Sequence, residues 1–232
     1  MKFIIGNWKM NGNMADKENM LKKLQNIKTR NKIVLCLPFI LLNGKNYNID
    51  LGAQDVSNHE NGAFTGDISG KMLKDAGIKY VIVGHSERRT FHKETNGLIK
   101  EKATMAIKNG IIPVICIGET KEQKNAGRTK SVIKKMLLAS IPETGKYIIA
   151  YEPRWAIGAG KTPNIHEIAS VFQTIFKTLQ SVGKSGTPII YGGSVKSTNA
   201  KDIIELPHVD GLLIGGASLK SDTFIPIIKS ID

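Results

Sequence analysis

One carboxylate in this chain stands at a position suited to proton transfer. The apolar run Tyr147–Tyr151 predicts a buried strand, and Glu152 follows it where a loop should begin. Pro153 prevents a simple continuation of the strand, because proline lacks the N–H that a strand ladder needs. The segment from Trp155 to Pro163 then combines an apolar middle, two glycines and a lysine-threonine pair. We therefore predict a carboxylate base followed by a loop that can close over a small anion.

Two other interpretations of this stretch are possible. Gly160-Lys161-Thr162 resembles the end of a nucleotide-binding loop, but that pattern requires a glycine where Trp155 stands, so the match fails. An ordinary solvated carboxylate at a strand end is the alternative interpretation of Glu152, because catalytic carboxylates are the minority.

Chemically useful side chains also follow other apolar runs. A serine-nucleophile elbow around Ser86 is disfavoured, because Arg88 stands where the last glycine of that motif belongs. Each residue taken alone has a structural interpretation, such as a turn residue for Asn7 or a buried structural histidine for His85. Together they suggest a base, an imidazole, a cation and glycine-rich phosphate turns: Asn7, Lys9, His85, Ser86, Glu87, Glu152, Ser194, Gly215 and Gly216.

The elements that must position these residues are eight short apolar runs, most of them separated by segments of helical period. Most of the runs are continuous rather than alternating, which is typical of parallel strands buried on both faces. Eight strand-then-helix units within one chain of 232 residues predict a single-domain (β/α)8 barrel, whose chemistry lies at the carboxyl ends of the strands. The predicted strands are Phe3–Gly6, Ile33–Leu37, Ile49–Ala53, Tyr80–Val83, Ile111–Ile117, Tyr147–Tyr151, Pro188–Tyr191 and Val209–Ile214.

The predicted connections differ in length. After the sixth strand, apolar residues from Ile165 to Leu179 fall on one helical stripe, with Thr162-Pro163 as the expected helix start. Gly110 should end the helix before the fifth strand. Only Pro38 to Asn48 joins the second and third strands, close to the shortest length of a parallel crossover, so we expect an abbreviated second helix there.

Composition excludes several classes of protein. The net charge is +13, but the lysines are scattered over amphipathic segments with few aromatic residues, which favours solvated helix faces over a nucleic-acid surface. A basic nucleic-acid-binding protein is nevertheless the alternative from another class. Cys36 and Cys116 lie in strand-like runs and should be buried, reduced thiols. No apolar stretch approaches a membrane span and no signal peptide precedes the first strand, so we expect a cytoplasmic protein.

The motifs also carry a family resemblance that covers nearly the whole chain. In order and surroundings, they are similar to those of the triosephosphate isomerases. They are GNWKMNG from Gly6, GAFTGDIS from Gly62, VGHSERR from Val83, AYEP from Ala150, YGGS from Tyr191 and GGASL from Gly215. The resemblance implies a TIM barrel that interconverts dihydroxyacetone phosphate and D-glyceraldehyde 3-phosphate without cofactor or metal. Another phosphate-binding barrel, acting on a larger sugar phosphate, is the related alternative.

The resemblance also implies roles for individual residues. Glu152 would move the proton through an enediolate, His85 would polarise the carbonyl as a neutral imidazole, Lys9 would stabilise negative charge, and Asn7 would position the substrate. Phosphate would be held by the backbone N–H groups of Gly158, Ser194, Gly215 and Gly216. Support would come from Glu87 anchoring Lys9 and Asn7, Ser86 holding Glu152 while the loop is open, and Ile157 and Leu213 keeping the base dry.

Two further expectations come from the resemblance. The glycine-flanked loop Gly62–Asp67, with Phe64 and Thr65 at its tip, implies a homodimer in which each loop inserts beside Lys9 of the other subunit. Arg154 stands where the family usually has a small apolar residue, and Ala159 replaces a common threonine. We therefore expect a shifted rate of loop opening or closing.

Overall fold

The computed structural model describes residues 1–42, 49–157 and 163–232. Eight parallel strands close into one barrel, each paired with the next in chain order and the last with the first, which confirms the predicted (β/α)8 architecture. The predicted strand bounds are within two residues of the observed ones. The strands are β1 Phe3–Asn7, β2 Lys32–Cys36, β3 Asp50–Ala53, β4 Tyr80–Val83, β5 Ile112–Ile117, β6 Ile148–Tyr151, β7 Ile189–Tyr191 and β8 Gly211–Ile214.

Helices follow most strands on the outside of the barrel. Those among the described residues are α1 Met14–Leu24, α2 Gly70–Asp75, α3 Ser86–Phe91, α4 Asn96–Lys108, α5 Lys121–Asn125, α6 Thr129–Ser140, α7 Ile165–Ser181, α8 Ala200–Ile204 and α9 Ser221–Ser230. None of them is both long and apolar enough to cross a membrane.

The start of α7 differs from the expected one. Asn164, rather than the Thr162-Pro163 pair, caps the helix. The Asn164 side chain accepts the backbone N–H of His166, and the Glu167 side chain accepts the backbone N–H of Asn164. Such reciprocal capping satisfies two N–H groups that have no partner within the helix. Pro163 therefore precedes the cap instead of occupying the first turn. At the end of α4, Gly110 has the left-handed φ of +76° expected of a helix stop.

The apolar runs are continuous because both faces of each strand are covered. Side chains such as Ile5, Val34 and Val114 fill the interior of the barrel. Their neighbours, including Ile4, Leu35 and Ile115, face outward and pack against the helices. Burial on both faces is what removes the alternating pattern of a half-exposed strand.

The described part of the second crossover contains only a short 3₁₀ turn, Phe39–Leu41. The remainder of the expected abbreviated helix falls at 43–48, outside the described residues.

Candidate active site

Glu152 is placed by the register of two neighbouring strands. β5 and β6 pair from Val114 with Ile148 to Ile117 with Tyr151, so both strands end level. The Glu152 N–H then donates to the Ile117 carbonyl at 2.8 Å. Gly118 lies so close that an added Cβ would stand 1.7 Å from the Glu152 carbonyl oxygen. Only glycine fits there, and this close approach fixes the backbone beneath the carboxylate.

The Glu152 side chain is 3% exposed, and both of its carboxylate oxygens have partners. Oε1 lies 3.1 Å from His85 Nε2, and Oε2 accepts the backbone N–H of Ser86 at 3.1 Å. Burial raises the pKa of Glu152, but His85, the Ser86 N–H and the charge of Lys9 together lower it below its ordinary value. Glu152 is therefore a carboxylate held ready in a nearly dry site.

His85 caps the short helix α3. Its Nδ1 accepts the backbone N–H of Glu87 at 3.3 Å, which leaves the proton on Nε2, facing Glu152. Burial lowers the pKa of His85, but the Glu152 carboxylate outweighs this and leaves the pKa raised. The raised pKa belongs to the arrangement in which Glu152 touches the ring. When the carboxylate turns away, burial, the Glu87 N–H and the charge of Lys9 favour a neutral imidazole that can donate from Nε2, against the Glu87 carboxylate, whose Oε2 lies 3.5 Å from Nδ1.

Lys9 brings a positive charge to the same end of the barrel. Its backbone has a left-handed φ of +54°, and its N–H donates to Asn7 Oδ1 at 3.0 Å. Its Nζ lies 2.6 Å from Glu87 Oε1. One residue of α3 therefore orients the cation through its side chain and the imidazole through its backbone.

These groups line one cavity of about 410 Å³. The polar side chains described above line one side of it: Asn7, Lys9, His85 and Glu152. The opposite side is formed by the ends of β7 and β8, where Ser194, Gly215 and Gly216 present small or absent side chains. No three His, Cys, Asp or Glu side chains form a metal-binding group among the residues that the structure describes. The cavity suits a small anion that carries a polar reacting centre.

Comparison with known proteins agrees with this geometry. The triosephosphate isomerase family model matches residues 2–231. The chain belongs to the triosephosphate isomerase family. It is 45% identical to the triosephosphate isomerase of Albidiferax ferrireducens, over 99% of this chain and 98% of that protein. It is 43% identical to that of Mycoplasma mobile, over 98% and 99% respectively. A crystal structure of triosephosphate isomerase from Bartonella henselae superposes with a TM-score of 0.89 and 35% identity, covering 99% of this chain and 98% of that one.

Most residues that the resemblance singled out meet in this triosephosphate isomerase cavity. Asn7, Lys9, His85 and Glu152 line it, and so do Ile157 and Leu213. Glu87 pairs with the Lys9 side chain as expected. The Asn7 side chain instead accepts a hydrogen bond from the Lys9 backbone N–H. Gly158 lies outside the described residues. The roles of all these residues stay predictions.

Sequence reasoning missed two positions just after β5. Gly118 provides the close approach to Glu152 described above. Glu119 is 1% exposed and accepts hydrogen bonds from Tyr151 Oη at 3.2 Å and Trp155 Nε1 at 2.8 Å, so it ties the start of the loop to the barrel. Their place directly after a strand was the available signal, because His85 and Glu152 stand at the same kind of position.

Proposed function

We propose that this chain interconverts dihydroxyacetone phosphate and D-glyceraldehyde 3-phosphate through an enediolate. The reaction belongs to glycolysis and gluconeogenesis, and we place the enzyme in the cytoplasm with them. Family membership over nearly the whole chain supports the activity. The observation that carries the mechanism is the buried Glu152 carboxylate facing His85 and Lys9 across one cavity.

Glu152 acts as the base. It removes the proton from the carbon next to the substrate carbonyl and returns it to the neighbouring carbon. Its two present contacts, an imidazole N–H and a backbone N–H, come from groups without a fixed positive charge. A carboxylate held this way is free to turn toward a substrate, and a nearly dry surrounding makes it a stronger base than it is in water.

His85 and Lys9 stabilise the negative charge that develops on the substrate oxygen. The imidazole donates from Nε2, because Nδ1 is occupied by the Glu87 N–H. Lys9 supplies a positive charge whose position Glu87 restrains, and Asn7 supports the strained Lys9 backbone while lining the cavity. Donors placed in advance need no rearrangement when the charge appears, which is the main source of such stabilisation.

The phosphate binds at the opposite side, on the backbone N–H groups of Ser194, Gly215 and Gly216, with Gly158 joining them from the loop. Glycine lets an anion approach the backbone closely. Ile157 and Leu213 cover the base when the loop closes. Water exclusion protects the reaction, because an exposed enediol phosphate can lose its phosphate.

The decisive experiment measures isomerisation of glyceraldehyde 3-phosphate at saturating substrate by the parent and by Glu152→Asp, with a coupled dehydrogenase reporting product. Shortening the base should lower kcat on the order of 10²- to 10⁴-fold. Glu143→Asp is the matched control, because the Glu143 side chain is 88% exposed and does not line the cavity. A folded parent without activity would contradict the function, and an unaltered kcat in Glu152→Asp would contradict the role of the base.

We also propose a homodimer formed through the Gly62–Asp67 loop. Phe64 is 42% exposed at the loop tip and stacks on His59 with ring centroids 3.7 Å apart, so the ring is held in place before any partner arrives. A second cavity, of about 260 Å³, opens beside Lys9 and is bordered by the exposed Met10 and Phe91, which suits an aromatic loop tip from another subunit.

Sedimentation equilibrium tests the dimer. The parent should sediment as a dimer and Phe64→Ser should dissociate more readily, because the interface loses its aromatic anchor. A fully active monomeric parent would refute the proposal.

A further inference from the structure

The carboxyl ends of β4 and β5 are joined by a side chain rather than by the backbone ladder. The last backbone pair of the two strands is Val83 with Ile115. Beyond this pair, Gly84 turns away with a left-handed φ of +67°. The ladder between the two strands therefore stops just before His85, which follows Gly84 in the chain.

Arg89 of α3 connects the strands beyond this point. Its Nε donates to the Gly84 carbonyl at 2.8 Å and its Nη2 to the Cys116 carbonyl at 2.9 Å, so one guanidinium holds both strand ends. Because a guanidinium is planar and presents its N–H groups in a fixed geometry, these two bonds fix the spacing of the strands. The backbone N–H of Arg89 also donates to the His85 carbonyl at 3.1 Å. A single residue thus holds the turn that carries the imidazole.

The same guanidinium is anchored to the outer helices. Its Nη1 donates to Asn96 Oδ1 at 2.6 Å, and this oxygen also accepts the Ser140 hydroxyl at 3.3 Å. Asn96 begins α4 and Ser140 ends α6. Arg89 therefore ties two strand ends to two helices packed around the barrel, which leaves the guanidinium little freedom to move.

Cys116 links this clamp to the base. The next residue of β5, Ile117, accepts the backbone N–H of Glu152 at 2.8 Å. Since β5 lies between β4 and β6 in the barrel, Arg89 binds it on one edge and Glu152 on the other. A shift between the ends of β4 and β5 would therefore alter the distance from His85 Nε2 to Glu152 Oε1, which is 3.1 Å.

Arg89 also brings a positive charge close to the base. Its three side-chain acceptors are two carbonyls and one amide oxygen, and these neutral groups do not compensate its charge. Burial lowers the pKa of Arg89, whereas the negative charge of Glu152 acts in the opposite direction. The two charges therefore attract each other across β5, and this attraction favours the ionised form of the carboxylate.

From this geometry we propose that Arg89 is a positioning residue that sets the spacing of His85 and Glu152 and favours the ionised base. The inference rests on the proposed function, in which Glu152 is the base and His85 the donor. Arg89 does not line the active-site cavity, so it acts through the backbone of β4 and β5 and through its charge. The phosphate side of the cavity belongs to the ends of β7 and β8 and should not depend on it.

Three variants separate spacing from charge. Arg89→Met removes both the hydrogen bonds and the charge, whereas Arg89→Lys keeps the charge but lacks the planar fork. Asn96→Ala leaves Arg89 in place without the acceptor of its Nη1. Arg30→Met is the matched control, because it removes the same charge from an exposed position just before β2.

Steady-state isomerisation of glyceraldehyde 3-phosphate gives the first measurement. We expect kcat to fall about 10- to 100-fold in Arg89→Met, because a misplacement of about 1 Å costs on that order. Arg89→Lys should recover only part of this loss, and Asn96→Ala should lose about three- to ten-fold. KM should change by less than about three-fold in all variants, because the phosphate is held by other strands.

The dependence of kcat/KM on pH gives the second measurement. Its acid limb should move to higher pH in Arg89→Met and stay in place in Arg89→Lys, because only the former loses the cation that favours the ionised carboxylate. Histidine-labelled NMR provides a readout without turnover. The ring nitrogens of His85 should shift in both Arg89 variants, whereas those of His166 and His208, which belong to other elements, should not.

A kcat in Arg89→Lys and Asn96→Ala equal to that of Arg30→Met would overturn the inference, even where Arg89→Met fails to fold. Rises in KM as large as the falls in kcat would also overturn it, because they would show a general distortion of the cavity. If the parent lacks isomerase activity, the proposed function fails and the inference with it. If the parent is active and the variants match the control, the inference alone fails.

Discussion

Two clusters of charged side chains lie next to each other around α3 and behave differently. The first, which we call the catalytic cluster, consists of Lys9, His85, Glu87 and Glu152. The second, the bracing cluster, consists of Asp55, Arg88, Glu94 and Lys102. Glu87 and Arg88 are neighbours in the chain, yet Glu87 pairs with Lys9, which lines the active-site cavity, whereas Arg88 pairs with Asp55 and Glu94.

In the bracing cluster each carboxylate has two cations. Asp55 lies 2.8 Å from both Arg88 and Lys102, and Glu94 lies 2.7 Å from Arg88 and 2.5 Å from Lys102. Burial raises the pKa of Glu94, but these cations outweigh it and leave the pKa lowered. Carboxylates paired in this way cannot exchange partners without leaving a charge unpaired.

The base of the catalytic cluster has no lysine or arginine in direct contact among the described residues. Its partners are an imidazole and a backbone N–H, and Lys9, whose charge lowers the pKa of Glu152, is paired with Glu87. The difference suggests that a carboxylate becomes a usable base when burial is combined with donors that it can release. Four predictions test this comparison, from the largest expected effect to the smallest.

Breaking the bracing cluster should cost stability and leave chemistry intact. Lys102→Met removes a cation whose side chain is 8% exposed, and it leaves Glu94 and Asp55 underpaired. We expect a loss of about 3–5 kcal/mol in the free energy of unfolding, measured by urea denaturation. The kcat of the remaining folded enzyme should be close to that of the parent. A large fall in kcat at unchanged stability would erase the distinction between the clusters.

Breaking the catalytic cluster should do the opposite. His85→Ala removes the proposed donor to the substrate oxygen, and we expect kcat to fall about 10²- to 10³-fold. The midpoint of thermal unfolding should fall less than in Lys102→Met, because Glu152 keeps the Ser86 N–H and the main loss is the His85 cap of α3. Steady-state kinetics and calorimetry on the same preparation check both parts. A variant that loses stability as strongly as Lys102→Met would contradict the comparison.

A smaller effect should follow from freeing Lys9. Glu87→Gln keeps the shape of the side chain but weakens the 2.6 Å ion pair, which is 42% exposed on the glutamate side and thus screened by solvent. We expect kcat/KM to fall roughly ten-fold, because a slightly misplaced cation stabilises the enediolate less well. Raising the salt concentration should reduce the difference between parent and variant. An effect independent of salt would point to the Glu87 backbone rather than its charge.

The smallest effect concerns the titration of His85. In the parent its pKa is raised above the ordinary value of 6.5 by Glu152, so in Glu152→Gln it should be lower. A raised pKa stabilises the fold fully below pH 6.5, and this contribution is lost as the pH rises through the folded-state pKa. The variant should therefore show a weaker dependence of stability on pH in that window. Histidine-labelled NMR over the five histidines measures the pKa directly. An unchanged His85 pKa would mean that the pair is not coupled.

The sequence predicted the barrel, and the meeting of most candidate site residues in one cavity, because both follow simple rules. Continuous apolar runs predict strands buried on both faces, and Glu152 could be placed because it directly follows such a run. The bracing cluster could not be predicted, since Asp55, Glu94 and Lys102 come from separate elements that only the packing of α4 against the barrel brings together. Asn164 was missed as the helix cap because Thr162-Pro163 gave a similar local signal.

Lys9 couples stability to activity at a single backbone position. Its φ of +54° lies in a region that side chains other than glycine occupy at a cost of roughly 1–2 kcal/mol, and the Asn7 side chain supports it there. Glycine would relieve this strain but remove the cation from the cavity. The fold therefore keeps a strained residue where the proposed mechanism requires a cation, and selection for thermal resistance alone would favour losing the positive charge at this turn.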